Sequence, residues 1–538
     1  MNSPSTRYHD LDALRAFAML LGIVLHGLLS FMPFPFWPGQ DRHQYPETCG
    51  VIVNLIHGFR MPLFFLMSGF FTMLLIERRG LSGLVKNRTL RILVPLIAGT
   101  IVVAPMIWGV AVWGGAKKAK IAASRTITPP DADKSIWMAA KNGEIDRLKA
   151  YLADGGNVNA RDYVGISLLS WAGMAGRDAV VDLLIENGVD LNAKDQNNRT
   201  ALHGAAFMGR VAIVQRLLNA GAEINVTGTS RDTPLDSASS NVKALNWLGT
   251  ILKLDFDPDA VMNNREEIKT ILREAGGKYG AELPLNLVTI YKAAAFAPVF
   301  QHLWFLHYLI WFSAALALLN ALGKALKIPT LPASLLRAPL CLVWLVPLTT
   351  IAQSMMTNPF GPDTAGGIFL WPPIFLYYGI FVLYGALSFG RDVFSPAKSK
   401  LWILYLLLAS GVGTVAMLDI KWATAREIIQ PLIGAVYVWL MSFGLIGASR
   451  FFFVGENKKI RWLSDSAYWL YLAHLPLIMA LQVWVSDWDL PGIVKFLFIV
   501  MFTTALLLIT YQLFIRYSFI GTILNGKKTR PHRRQSPS

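Results

Sequence analysis

The chain alternates between long apolar runs and short charged connections, with one long interruption. A helix needs roughly 20 mostly apolar residues to cross about 30 Å of hydrocarbon at 1.5 Å per residue. Ten runs approach that length: about 12–32, 52–76, 91–113, 303–322, 338–354, 368–389, 401–418, 431–449, 467–485 and 494–517. The pattern predicts an all-α, polytopic membrane protein with about ten transmembrane helices, its bulk solvated by a lipid bilayer. The fifth run is short and carries Pro347. The first is similar to a secretory signal segment, but Asp10 and Asp12 flank it and no small-residue cleavage site follows Phe31, which predicts a retained helix.

The interruption has its own period. Gly143, Gly176 and Gly209 are 33 residues apart, as are Gly155, Gly188 and Gly221, and Asn159, Asn192 and Asn225. Leu148, Val181 and Val214 keep the same step, as do Leu169, Leu202 and Leu235. With text such as "TALHGAAFMGRVAIVQRLLNAGAEIN", the segment resembles the ankyrin repeat: a turn, two short antiparallel helices, and glycine where helices end. Three repeats are clear, a fourth fades after Ser240, and "REEIKTILREAGGKYG" reads as a closing helix. The expected organisation is a first membrane part at 1–125, an ankyrin-repeat α-solenoid inserted at 126–282, a second membrane part at 283–525, and a basic disordered tail at 526–538. An ankyrin array performs no chemistry; it reads either as a docking surface for a protein partner or as a spacer.

Charge then sharpens the topology. The formal net charge of +16 suggests nucleic acid if taken alone, yet residues 133–280 hold 17 basic and 19 acidic residues. The excess lies between apolar runs, so no nucleic-acid partner is expected. Arg78, Arg79, Lys86, Arg88 and Arg91 crowd 77–91, and the loops at 323–337, 390–400 and 450–466 and the tail are also basic. The alternate loops are neutral or acidic, with Asp363 in 355–367 and Asp487 and Asp489 in 486–493. Positive-inside counting places both termini in the cytoplasm and the ankyrin segment outside it. Lys117, Lys118, Lys120 and Arg125 disagree and are outvoted. Cys49 and Cys341, in or beside apolar segments, read as packing residues.

Ionisable groups within spanning helices persist mainly where they work or are paired. In "DLDALRAFAMLLGIVLH", Arg15 and His26 are 11 positions apart, so they share a face about 16 Å apart along the axis. His26 reads as a proton-transfer group or as a hydrogen-bonding partner of a neighbouring helix. His57 and Arg60 share a face of the second run at similar depth; Arg60 either holds an anion or snorkels outward. Ser68 and Gly69 read as a close helix contact. Arg88 and Arg91 share a face at an expected helix N-terminus, where guanidinium and free N–H groups suit phosphates; the bland reading is plain positive-inside charge. His302, His307 and His474 complete the intramembrane histidines, without metal-ligand spacing.

Together these motifs resemble the integral-membrane acyltransferase family three: "D-x-L-R" followed by His26, "PLFFLMSGFF", the Arg88/Arg91 pair, "HLWFLHYL" and "YWLYLAHLPL". The likeness covers about 1–113 and 295–520 and lies nearest the glucan-biosynthesis subgroup. It implies a bacterial inner-membrane enzyme that moves an acyl group, acetyl or succinyl, from cytoplasmic acyl-CoA to a hydroxyl of an extracytoplasmic carbohydrate such as a periplasmic glucan. Acyl-CoA would be a co-substrate, with no bound cofactor and no metal. By motif, His26 matches the family's essential histidine and Arg15 its paired arginine. Arg88 and Arg91 match the pair facing the CoA phosphates, and His474 a late histidine of less defined role. His57 and Arg60 are carried as substrate-binding candidates. The ankyrin insertion departs from the family pattern. The rival reading is an exporter of an envelope molecule with an ankyrin docking module; against it, the halves show no repeat symmetry.

Overall fold

The computed structural model describes residues 8–32, 37–41, 43–124, 136–162, 165–195, 197–252, 254–282, 287–358, 360–391, 393, 400–417 and 426–529. Arg125 and the basic tail from Arg530 onward lie outside them. Among the described residues the fold is helical, and the one β contact is an isolated bridge between Arg161 and Ser167.

The apolar runs form α1 (His9–Leu28), α2 (Pro46–Arg88), α3 (Val94–Ser124), α4 (Trp304–Ala325), α5 (Leu342–Ser354), α6 (Pro372–Ser388), α7 (Leu401–Met417), α8 (Arg426–Phe452), α9 (Lys458–Val485) and α10 (Gly492–Thr510). Six helical runs among the described residues are long and apolar enough to cross a membrane. One of them, Thr48–Lys117, covers two of the expected segments, because α2 and α3 are joined through the π-helical turn Thr89–Leu93. Within α2 the chain breaks at Gly80, whose φ of 66° is open to glycine and strained for other residues. The expected segments at α5, α6 and α7 form helices of 13, 17 and 17 residues, short of a straight crossing. Apolar side chains face outward along α3, α5, α7 and α10: Val112 and Val343 are 71% exposed, and Ile101, Leu407 and Met501 are also exposed. A face of this kind suits lipid rather than water.

Two apolar cores organise the membrane helices. The larger packs α2, α4, α6 and α8 around Phe65, Tyr378, Phe381 and Trp439. The other joins α1, α9 and α10 through Met19, Ile23, Ile478 and Ile499. The expected close approach at Gly69 is present, since a Cβ there would lie 1.9 Å from the Val382 carbonyl oxygen on α6. Cys49 and Cys341 are free and buried.

The ankyrin segment has a separate core. Its helices come in pairs: Ile136–Asn142 with Ile145–Ala153, Leu168–Ala175 with Asp178–Glu186, Ala201–Phe207 with Val211–Asn219, and Pro234–Ala238 with Val242–Leu252. Pro258–Glu274 follows as the closing helix. The 33-residue period has a physical cause. The Oδ1 atoms of Asn159 and Asn192 accept the backbone N–H of Asp190 at 2.7 Å and of Glu223 at 2.8 Å, so each stitches one repeat to the next. Asn225 does the same for the segment after the closing helix, accepting from Lys278 N at 2.8 Å.

Candidate functional site

The site is built on α1 and α9, which run in the same direction side by side. At the His9 end, Arg15 donates to Ser464 at 3.0 Å to the carbonyl oxygen and 2.7 Å to Oγ. It also lies 3.4 Å from Asp12, which accepts from Ser464 Oγ at 3.2 Å. At the other end, the ring of His26 faces that of His474, centroids 5.2 Å apart. The buried amide of Gln482 donates to the carbonyls of His26 at 2.9 Å and Gly27 at 3.1 Å, and its Oε1 accepts from Trp37 Nε1 at 2.8 Å. Arg15 and His26 therefore share α1 but not a contact: Arg15 is engaged with α9 about 16 Å from the imidazole.

Further side chains converge on His26. His302 lies with its ring centroid 5.3 Å from His474, while Arg60, His302 and His57 are all within electrostatic reach of His26. Arg60 crosses α1 at Gly22, where a Cβ would stand 2.0 Å from Nη1, so glycine is what admits the guanidinium. Its Nε is buried without a partner, and among the described residues no carboxylate or hydrogen-bond acceptor engages the group. Its neighbours are Tyr471 and Tyr378, the latter with a buried, unpartnered hydroxyl. His57 Nε2 lies 2.9 Å from the Pro362 carbonyl oxygen, which only accepts, so Nε2 donates. Polar atoms left unsatisfied inside a protein are rare and call for an explanation. Here His26 Nδ1, His474 Nε2, His302 Nδ1, Arg60 Nε and Tyr378 Oη gather around one place. Among the described residues no group of three His, Cys, Asp or Glu side chains is arranged to hold a metal.

His307 stands apart, against Phe300, and accepts from Trp311 Nε1 at 3.1 Å. Arg88 and Arg91 also lie away from the histidines. Arg88 donates to Thr72 Oγ1, which itself donates to the Ser68 carbonyl at 2.7 Å. Arg91 lies near Arg79 and Arg15, and its carbonyl accepts from the Tyr468 hydroxyl. The expected free helix N-terminus at this pair is absent. Arg88 ends α2 and Arg91 sits in the π turn, where the Thr89 N–H bonds back to Val85 and Lys86 and the Val94 N–H to Thr89. The helix continues, so the backbone donors are spent and the anion-binding capacity there is that of the guanidinium groups.

The acyltransferase domain family matches residues 8–137 and 273–512, two segments that together exceed half of the chain. The chain belongs to this acyltransferase family. The intervening residues 136–228 match ankyrin repeats in three copies. The glucans biosynthesis protein C of Salmonella paratyphi B, Salmonella heidelberg and Salmonella enteritidis is 33% identical over 94 residues, 18% of this chain and 24% of each relative. The chain thus aligns with about a quarter of the length of these curated relatives. In this acyltransferase-family chain, sequence reasoning missed Gln482 and the buried pair Lys495 and Asp41, 2.6 Å apart. The signal was available: a lone polar residue inside an apolar run, as in "IMALQVWV" and "GIVKFLFIV".

Proposed function

We propose that this protein is a membrane-bound O-acyltransferase that moves an acyl group from cytoplasmic acyl-CoA to a hydroxyl of an extracytoplasmic carbohydrate. The observation that carries the reading is His26, enclosed within a family-matched membrane helix with an unpartnered ring nitrogen and surrounded by histidines and one unpaired arginine. Acyl transfer from a thioester to an alcohol needs a base for the hydroxyl proton, stabilisation for the oxyanion, and an anchor for the carrier. In this reading His26 is the base. Arg60 is the cation nearest the reaction, and the arginines at the His9 end of α1 (Arg15, Arg88 and Arg91) lie where CoA phosphates would be held. The axial gap of about 16 Å between Arg15 and His26 suits an extended pantetheine arm. The parallel course of α1 and α9 supports ten crossings, because the first and ninth would then run the same way. In that topology both termini are cytoplasmic, the membrane is the bacterial inner membrane, and the ankyrin array, at 126–282, stands outside as a docking surface for a protein partner. The Salmonella relatives' name supports a glucan as the acceptor.

The test is mass spectrometry of envelope glycans from deletion cells carrying wild-type protein or His26→Ala. An acyl mass added by wild type and lost in the variant identifies donor and acceptor together. Identical glycans, with both proteins present in the membrane, would overturn the reading in favour of an exporter.

A further inference from the structure

We infer that His474 is the positioning residue that fixes the tautomer of His26, so that the atom taking the hydroxyl proton is Nε2 of His26. This rests on the reading of His26 as a general base.

The tautomers follow from the hydrogen bonds. His474 Nδ1 lies 3.0 Å from the Leu470 carbonyl oxygen and 2.8 Å from that of Tyr471. Carbonyl oxygens only accept, so Nδ1 carries the hydrogen. A neutral imidazole has one N–H, which leaves Nε2 of His474 as a bare acceptor. That atom is buried and without a partner. His302 cannot supply one. Its Nε2 is used toward the Leu472 carbonyl at 3.3 Å and therefore bears its hydrogen, leaving its enclosed Nδ1 a second bare acceptor. Two acceptors do not pair. The remaining neighbours are Arg60, which crosses α1 at Gly22, and His26, whose ring faces that of His474 and whose Nδ1 is likewise buried and unpartnered. A hydrogen on His26 Nδ1 lets the two facing rings satisfy each other and leaves the Arg60 guanidinium free for substrate; His26 Nε2 then carries the lone pair.

The rings stand with centroids 5.2 Å apart at an interplanar angle of 45°, close but not hydrogen-bonded. Catalytic hydrogen bonds are commonly long before substrate binds and tighten in the reacting complex. The spacing is held by α9, which carries His474 and, through Gln482, grips the carbonyl of His26 itself. In serine hydrolases a carboxylate orients the base through the same nitrogen. The charged and titratable groups facing His26 here are His474, Arg60, His302 and His57, with no carboxylate among them.

The step balances. The hydroxyl O–H breaks and its proton goes to His26 Nε2 as the oxygen forms a C–O bond to the thioester carbon. His26 Nδ1–H meanwhile donates to His474 Nε2, which stabilises the imidazolium. The C–S bond then breaks, and the leaving CoA sulfur takes the proton back from Nε2.

The test has two arms on full-length protein reconstituted in lipid bilayers. In the first, the protein is labelled with ¹⁵N-histidine and read by solid-state NMR, with His26→Ala and His474→Gln spectra assigning the signals. Expected are Nδ1–H and bare Nε2 at both His26 and His474 in wild type; an Nε2–H form of His26 would overturn the inference. In the second, membranes receive radiolabelled acetyl-CoA or succinyl-CoA, and glycan labelling is followed. His474→Phe should lower turnover by roughly 10²-fold with KM for the donor unchanged. His474→Gln, whose amide oxygen can still accept, should retain more activity than the Phe variant. Full turnover in His474→Phe, or loss confined to KM, would overturn the inference. If wild type labels nothing, the acyltransferase reading fails, and the NMR arm still decides the tautomer.

Discussion

Lys495 and Asp41 make an ion pair of 2.6 Å whose side chains are 0% and 1% exposed. The second oxygen of Asp41 accepts from His43 N at 2.9 Å, and the Asp41 N–H donates to the Ser30 carbonyl at 2.9 Å. The pair thus ties α10 to the connection between α1 and α2. That connection presses on the site: a Cβ at Gly39 would stand 2.5 Å from Gln482 Cβ and 2.6 Å from Val483 N. Replacing Lys495 with Met removes the cation and leaves a buried carboxylate, which costs about 3–5 kcal/mol. Asp41→Asn alone strands the ammonium at a similar cost. The double variant leaves no buried charge, and the Asn oxygen still accepts from His43 N. It should therefore be more stable than either single variant. The assay is thermal unfolding of the four detergent-solubilised proteins at one heating rate. At roughly 2 °C per kcal/mol, each single variant falls by about 6–10 °C and the double by less. Additive losses, or single variants within about 2 °C of wild type, would show that the pair is solvated and the argument from burial wrong.

Two further outcomes are expected. Arg60→Gln should impair transfer of succinyl, which brings a carboxylate to the unpaired guanidinium, more than transfer of acetyl; equal loss in paired labelling assays would sink that role. In the ankyrin array, His203 Nδ1 accepts the Thr200 N–H at 3.1 Å, Nε2 donates to the Asp232 carbonyl at 3.2 Å, and burial pushes the imidazole down to about 4. The unfolded histidine binds its proton near pH 6.5, so this stability is complete above about pH 6.5 and is lost as pH falls toward 4, by roughly 3 kcal/mol in all. Hydrogen exchange of Ala201–Phe207 in the intact protein, corrected for intrinsic rates, should show protection falling over that window in wild type and not in His203→Gln; equal loss in both would refute it.

Local periodicity was the most legible layer. The 33-residue step of Gly143, Gly176 and Gly209 became the same left-handed turn three times, with φ of 82°, 73° and 65°. The shared face of Arg15 and His26 needed only helical geometry. What the sequence hid was long-range. His474 and Gln482 reach α1 from more than 440 residues away, and no local pattern states that α1 and α9 are neighbours. The Arg88 and Arg91 pair misled for a related reason: a helix N-terminus is the natural expectation after a basic loop, and only the π turn shows that α2 runs on into α3. Lys495 was legible as an oddity in an apolar run, but its partner lies in a connection whose sequence carries no pattern.

The spacing of residues along α1 follows from its pairing with α9. Arg15 meets Ser464 and His26 meets His474, so 11 residues on one helix are matched by 10 on the other. Two parallel helices can hold contacts at both ends only if their rises agree, and one residue of difference amounts to about 1.5 Å, within reach of an arginine side chain. The Arg15 contact is direct to the backbone and hydroxyl of α9, whereas at the other end Gln482 reaches back to the carbonyl of His26. A residue added between Arg15 and His26 would turn the imidazole by about 100° away from His474 even if the helix stayed intact. The interval between arginine and histidine is therefore fixed by a second helix rather than by either side chain's own chemistry. The second helix thus holds a cation at one level and an imidazole at the other, the separation on which the proposed placement of an extended substrate depends.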